Sequence, residues 1–220
     1  MLVFNLPLVS LVKKMKDSAE WIETLNKITG LAQSGLYYSK DVYDRERYEQ
    51  LLDHVRTLIE LKEIDTSNFI PNVLQDIGYA TPKIDVRAVV FKDNKLLLAK
   101  ETQDGLWSIP GGWADVGYSA AENAEKEVLE ETGLEVKAIQ LLALTDRRKH
   151  PHPAMFLHVY KAFFWCEIIG GDLKPSIETS EVGFFGKNEL PPISTARVTE
   201  AQIHHFFELR HRLPENTYFD

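Results

Sequence analysis

The sequence predicts an α+β fold in two parts, a helical segment followed by a region in which strands and helices alternate. Three observations predict it. Apolar residues recur at three- and four-residue spacing through residues 19–77, with no strand-like alternation. From Lys83 the pattern changes to short apolar runs bounded by turn residues. A glycine turn at Gly111 and Gly112 then feeds one short helix that stops at Gly133, where a helix ending in the left-handed conformation needs a residue without a Cβ. Pattern alone reaches α+β or α/β, because hairpins and helices intermix.

The elements follow in order. Residues 1–18 read as an apolar tail or packing arm. The lysines stand on the wrong side for a secretory signal, and the run is too short to span a bilayer. Residues 19–80 read as a small helical domain. Its first helix carries Trp21, Leu25, Ile28 and Ala32, and its second follows Asp44 as N-cap, with Tyr48, Leu51, Leu52, Val55, Leu58 and Ile59 on one face. A third helix is expected from about Ser67 to Gly78, with Pro82 beyond it. Strands are expected at Ile84 to Phe91 and Leu96 to Lys100, joined by a Lys-Asp-Asn-Lys turn, then at 136–144, 155–169 and 182–186. A last helix from Thr199 carries Ile203, Phe206, Phe207 and Leu213, and residues 214–220 form a C-terminal tail.

Composition narrows the class. The 220 residues are 44% apolar and 26% charged, as in an ordinary globular chain. A net charge of −8 opposes non-specific binding to nucleic acid or anionic membranes, so neither a stable nucleic-acid partner nor a membrane is expected. The single cysteine, Cys166, lies in an apolar run and cannot form an internal disulfide; the reducing cytoplasm is the expected compartment.

The most informative stretch is 111–134. Glu127, Glu130 and Glu131 stand three and four apart, so their carboxylates share one helix face, while Ala121, Ala124 and Val128 form the packing stripe. Like charges one turn apart cost roughly 0.2–0.5 kcal/mol per pair. Alone, the pattern is that of a solvated face; beside two glycines that bring main chain close, it suits a hard divalent cation.

The segment resembles the Nudix box, matching at Gly112, Glu127, Val128, Glu130, Glu131, Gly133 and Leu134. It departs at Tyr118, where the family has Glu, and at Lys126, where it has Arg. Lys keeps the charge but loses the bidentate fork. The resemblance implies a mixed sheet sandwiched between helices over about residues 83–213. It also implies a hydrolase using Mg2+ or Mn2+, with more than one ion per site, held by Glu127, Glu130, Glu131 and the carbonyl of Gly112. Gly111, Lys126 and Gly133 are the expected supports. Glu127 and Glu131 take catalytic roles, with Glu181 as base or extra ligand and Glu178 as its competitor. The helical N-terminal segment is similar to the extra domain of a bacterial subgroup acting on nucleoside diphosphates linked to another group, such as CDP-choline or ADP-ribose. That resemblance rests on residues 34–44 and 81–91, and it implies a homodimer.

Residues 146–153, Asp-Arg-Arg-Lys-His-Pro-His-Pro, concentrate positive charge, making Arg147, Arg148, Lys149, His150 and His152 candidate phosphate contacts. The alternative is a solvated hairpin tip. Arg87, alone in an apolar strand, either enters the site or pairs with Asp85 two residues away on the same sheet face. Trp107 and Trp113 read as packing rather than a base-stacking platform. The expected reaction is hydrolysis of a diphosphate-linked nucleotide into two monophosphates. The rivals are a nucleotide-sensing regulator, opposed by the intact glutamates, and an RNA pyrophosphohydrolase or exonuclease, opposed by the acidic charge.

Overall fold

The computed structural model describes residues 18–61, 78–211 and 216–220. The expected third helix, Leu213 and nearly all of the N-terminal tail lie outside them. The chain divides into two compact units, one of residues 1–82 with 154–158, the other of 83–153 with 159–220.

The helical unit holds α1 (Ser18–Tyr38) and α2 (Val42–Leu61). α2 begins earlier than expected. The Asp41 carboxylate accepts the N–H groups of Tyr43 and Asp44, so Asp41 is the cap and Asp44 sits in the first turn. Leu25, Val55 and Ile59 form the core with Phe156 from the 154–158 segment, and Trp21, Ile28 and Leu58 pack around it. Most of the expected apolar face of each helix is thus used within the unit, while Leu51 of α2 is exposed. Other apolar residues lie exposed, among them Leu31, Tyr37, Tyr38, Val42 and Tyr43.

In the second unit, β1 (Lys83–Lys92) and β2 (Lys95–Glu101) form the expected hairpin. Asp93 and Asn94 both take positive φ, 50° and 59°, the turn whose twist matches its strands. There follow β3 (Trp107–Ser108), α3 (Ala120–Thr132), β4 (Leu134–Asp146), β5 (Val159–Gly171), β6 (Thr179–Phe185), α4 (Glu200–Leu209) and β7 (Tyr218–Phe219). The sheet runs β3-β2-β1-β5-β4-β7, with β6 also paired to β2. β1–β5 and β4–β7 are parallel and the other pairs antiparallel, so the sheet is mixed.

Strand alternation sorts the core into two layers. Val86, Ala88 and Val90 of β1 pack with Ala124 and Val128 of α3 on one face. Val89 packs with Phe163, Ile203, Phe206 and Phe207, under α4, on the other. Asp85 and Arg87 share parity with Val89, so the α4 face turns polar at the start of β1. Cys166 is buried against α3, and burial pushes its thiol up to about 12. No described helix is long and apolar enough to cross a membrane.

Candidate active site

Helix α3 is fastened at both ends. Ser119 accepts the N–H of Glu122, and the Glu122 carboxylate accepts the N–H of Ser119. Gly133 ends the helix at φ 72°, its N–H donating to the Leu129 carbonyl. Ahead of the helix, Gly111 has φ 144°, and a Cβ there would lie 2.0 Å from the Val86 carbonyl oxygen and 2.8 Å from Arg87 Cα. Only glycine lets the loop lie along β1. A Cβ on Gly112 would sit 3.0 Å from Glu127 Oε1, so this glycine leaves the carboxylate its space.

Glu131 is buried and accepts the Gly111 N–H at 3.3 Å. Burial, the largest cause, pushes its carboxyl up to about 8, with Arg87 and the Gly111 N–H opposing the rise and Glu101 and Glu127 adding to it. Half-buried Glu127 is raised too, first by burial and then by Glu130 and Glu178. Glu130 is more exposed and pairs with Lys126 at 2.7 Å; Lys126 also reaches Asp115 of the preceding loop at 3.2 Å. Two ion pairs raise the Lys126 pKa.

The carbonyl of Gly112 has a main-chain partner. It accepts the Val86 N–H at 2.8 Å, so the loop pairs with β1 through it, and the main-chain group that meets the cluster is the Gly111 N–H. Among the described residues, no three side chains already converge as a metal cage, and Glu130 is paired with Lys126. Even so, the donor set fits a hard cation. Burial disfavours the charged forms of two neighbouring carboxylates, and a bound cation would favour them.

Beneath Glu131 lies a buried ionic network. Arg87 donates to both oxygens of Asp85 at 2.8 Å and to the Ile109 carbonyl at 3.0 Å, which realises the second of its two expected alternatives. Lys161 donates to Asp85 at 2.6 Å. Burial opposes the Asp85 charge, but Arg87 and then Lys161 outweigh it and hold the carboxyl at about 2. Burial, with Arg87 and Arg147 nearby, pushes Lys161 down to about 8. Ser108 donates to Glu101, which also pairs with Arg197.

This glycine loop and its acid-bearing helix, set on a mixed sheet, match the NUDIX domain over residues 81–207. The chain belongs to the Nudix hydrolases. Residues 19–66 match the UDP-X-like, N-terminal oligomerisation domain. YjhB of Bacillus subtilis, provisionally named an ADP-ribose pyrophosphatase, is 40% identical over 94% of this chain and 100% of its own length. A crystal structure of an ADP-ribose pyrophosphatase from Streptococcus suis is 41% identical with a TM-score of 0.58, covering 64% of this chain and all of that one. A UDP-X diphosphatase structure is 31% identical with a TM-score of 0.59, covering 91% and 98%.

Around the Nudix box, the structure redistributes several expected roles. The 146–153 loop is braced from within. Buried Arg147 donates to the carbonyls of Pro153 and Ala196, Arg148 pairs with Asp146, and His150 meets Asp220 at 3.1 Å. His152 meets the Thr195 carbonyl, and burial pushes its pKa down to about 4. Of the five candidate phosphate contacts, four are thus engaged in holding the loop, while Lys149 is exposed. Glu181 is engaged by Lys100 at 2.6 Å, whereas Glu178 adds its charge to the field on Glu127. Trp107 packs in the α4-side core, and Trp113 is partly exposed where its backbone bridges Asp85.

Sequence reasoning missed Lys161 and Asn123. The signal for Lys161 was a lone cation in an apolar strand, but its register with Asp85 was not visible along the chain. Buried Asn123 accepts the Asp115 N–H and donates to the Asp115 and Ser119 carbonyls, tying the Nudix loop to its helix.

Proposed function

We propose that the chain is a divalent-metal-dependent pyrophosphohydrolase that splits an ADP-ribose or a UDP-linked compound at its phosphoanhydride into two monophosphates. The observation that carries this reading is the desolvated pair Glu127 and Glu131, backed by Gly111 and Arg87, at the edge of β1. The names of the similar proteins favour ADP-ribose and UDP-linked substrates over CDP-choline.

Glu127 and Glu131 would hold Mg2+ or Mn2+, with Glu130 joining once it leaves Lys126. The cation would neutralise phosphate oxygens and lower the pKa of a bound water. The protein's own groups do the positioning. The Gly111 N–H holds Glu131 with the charge of Arg87 nearby, Lys126 and Asn123 fix the loop to the helix, and Gly112 keeps main chain close to Glu127. Glu178 is the loop carboxylate best placed to accept a proton, in preference to Glu181. A cleft of about 460 Å³ lined by Glu130, Lys174, Ser176 and Glu178 offers room beside the cluster.

The helical unit is proposed to assemble the chain as a homodimer through the exposed apolar residues of α1 and α2, and the cytoplasm is the proposed compartment. Phosphate-release assays with magnesium or manganese over ADP-ribose, UDP-linked sugars, CDP-choline and capped RNA test the substrate. Preferential turnover of ADP-ribose or a UDP-linked compound supports the proposal; turnover of capped RNA alone overturns it.

A further inference from the structure

The segment that leads from β5 into β6 is fastened to the last turn of α3 at two points. The Lys174 N–H donates to the Thr132 carbonyl at 2.9 Å, and the Thr179 hydroxyl donates to the Glu131 carbonyl at 2.6 Å. Carbonyls at a helix C-terminus lack partners within the helix, so this segment satisfies two of them. Between those points the Ser176 hydroxyl accepts the N–H groups of Glu178 and Thr179. The Glu178 carbonyl accepts the Thr102 N–H, just past the end of β2. Residues 174–179 are therefore placed by the same helix that carries Glu127, Glu130 and Glu131.

The stem of Lys174 is held as well. It lies against Gly133, where a Cβ would come within 2.7 Å of the lysine Cγ and 3.0 Å of its Cε. Gly133 thus ends the helix and also leaves the lysine its path. The ammonium has no ion pair or hydrogen bond among the described residues, whereas Lys126 is held by both Asp115 and Glu130. Lys174 lines the cleft beside the box with Glu130 and Glu178, and it is the one cation among the described residues that do. The charges there call for one. Glu178 has to be ionised to accept a proton, and the diphosphate that approaches it is anionic, so the two repel. A metal ion on the box glutamates answers part of that charge, and an ammonium on the same loop as Glu178 answers more. A cation beside a helix C-terminus is also favoured by the helix dipole, a role that would touch stability alone.

We propose that Lys174 is a substrate contact, its ammonium meeting a phosphate oxygen of the diphosphate in the cleft that Glu130 and Glu178 line. The proposal rests on the diphosphate-hydrolase reading for its link to turnover, but phosphate binding can be measured without it. The test uses the full chain with manganese, as the native protein, Lys174→Met, Lys174→Arg and, as a surface-charge control, Lys137→Met. Lys137 lies on β4 and pairs with Glu125, outside the cleft. Binding is read by calorimetry with α,β-methylene-ADP, whose P–C–P bridge cannot be hydrolysed, and melting temperatures check folding. Affinity should fall about tenfold in Lys174→Met, return to within about threefold of native in Lys174→Arg, and stay native in Lys137→Met. For the preferred diphosphate substrate, KM should rise by about the same factor in Lys174→Met while kcat stays within about twofold. The fall of kcat/KM with added salt should also be shallower in that variant. Native affinity and native KM in Lys174→Met, with only a lower melting temperature, leave the lysine a helix-end charge and overturn the proposal. A loss of kcat at native KM overturns it too, since the lysine would then act through Glu178 rather than on the phosphate. So does an analogue that fails to bind the native chain. Hydrolysis with native KM in Lys174→Met defeats the contact while the hydrolase reading stands. Lys174-dependent binding of the analogue without hydrolysis of any diphosphate defeats the hydrolase reading while the contact stands.

Discussion

At the scale of single residues, the site is a balance of buried charges. Asp85 carries two cations, Arg87 and Lys161, and its removal leaves both inside the sheet. Asp85→Asn should cost about 3–5 kcal/mol at neutral pH, measured by denaturant unfolding. The penalty should be smaller at pH 9 than at pH 6, since Lys161, already pushed down to about 8, sheds its proton there. A penalty that does not depend on pH would separate Lys161 from Asp85. The acid side has a definite sign. Asp85 folds with its pKa depressed from 3.8 to about 2, so its stabilisation is present above the unfolded value and is lost as pH falls through that interval. The native chain should lose more stability between pH 4 and pH 2 than Asp85→Asn does. The two loop acids separate by their partners. Glu178→Gln should lower kcat at least about tenfold if it serves as proton acceptor, and Glu181→Gln much less, because Glu181 is held by Lys100. The reverse order would restore Glu181 as the base. The glutamates and Lys126 were legible because their spacing along one helix is their spacing in space, and the glycines because they mark the turn before that helix and the stop after it. Lys161 was not, because its partner is 76 residues away and is met only through parallel strand register.

At the scale of elements, the box is a loop and a helix held as one piece by few contacts. Asn123 makes three hydrogen bonds to the loop and helix start, all of them inside the fold. Asn123→Ala should destabilise the chain by about 1–3 kcal/mol through the unpaired loop groups it leaves. It should also weaken manganese binding, measured by calorimetry on the full chain. Unaltered manganese affinity would mean that the carboxylates are placed by the helix alone. Strand and helix identities came through the sequence well in the second unit, where β1, β2 and their turn, the capping boxes of α3 and α4, and Gly133 are all written in local residue types. The misassigned N-cap of α2 has a local cause. Asp41 and Asp44 both suit a cap, and the choice fell to Asp41, whose carboxylate accepts two N–H groups of the first turn. The basic loop is a different case. A run of arginines and histidines shows its charge in the sequence, but not its internal partners, the Pro153, Ala196 and Thr195 carbonyls and Asp220.

At the scale of the whole molecule, the helical unit completes its core with Phe156, a residue from the midst of the Nudix sequence. A chain beginning at Tyr79 would bare that ring, so it should aggregate more readily than the full chain, and Phe156→Ser in the truncated chain should relieve this. Light scattering on the full chain tests the proposed dimer: a dimer at micromolar concentration that Tyr43→Glu with Leu31→Glu converts to monomer is expected, and a native monomer contradicts it. Periodicity revealed the two helices but not what covered them, because an amphipathic face looks the same whether its partner is a neighbouring helix, a distant loop or a second copy. The central claim, that the paired box carboxylates drive diphosphate hydrolysis, is tested most directly by one comparison. Native chain and Glu131→Gln are assayed side by side on ADP-ribose and on a UDP-linked sugar at saturating magnesium, with products followed by phosphorus NMR. The account predicts two monophosphates from the native chain and less than about a tenth of that rate from Glu131→Gln, since a charged metal ligand is worth several kcal/mol in the transition state. A Glu131→Gln protein that melts like the native chain and turns over at more than that fraction would contradict it.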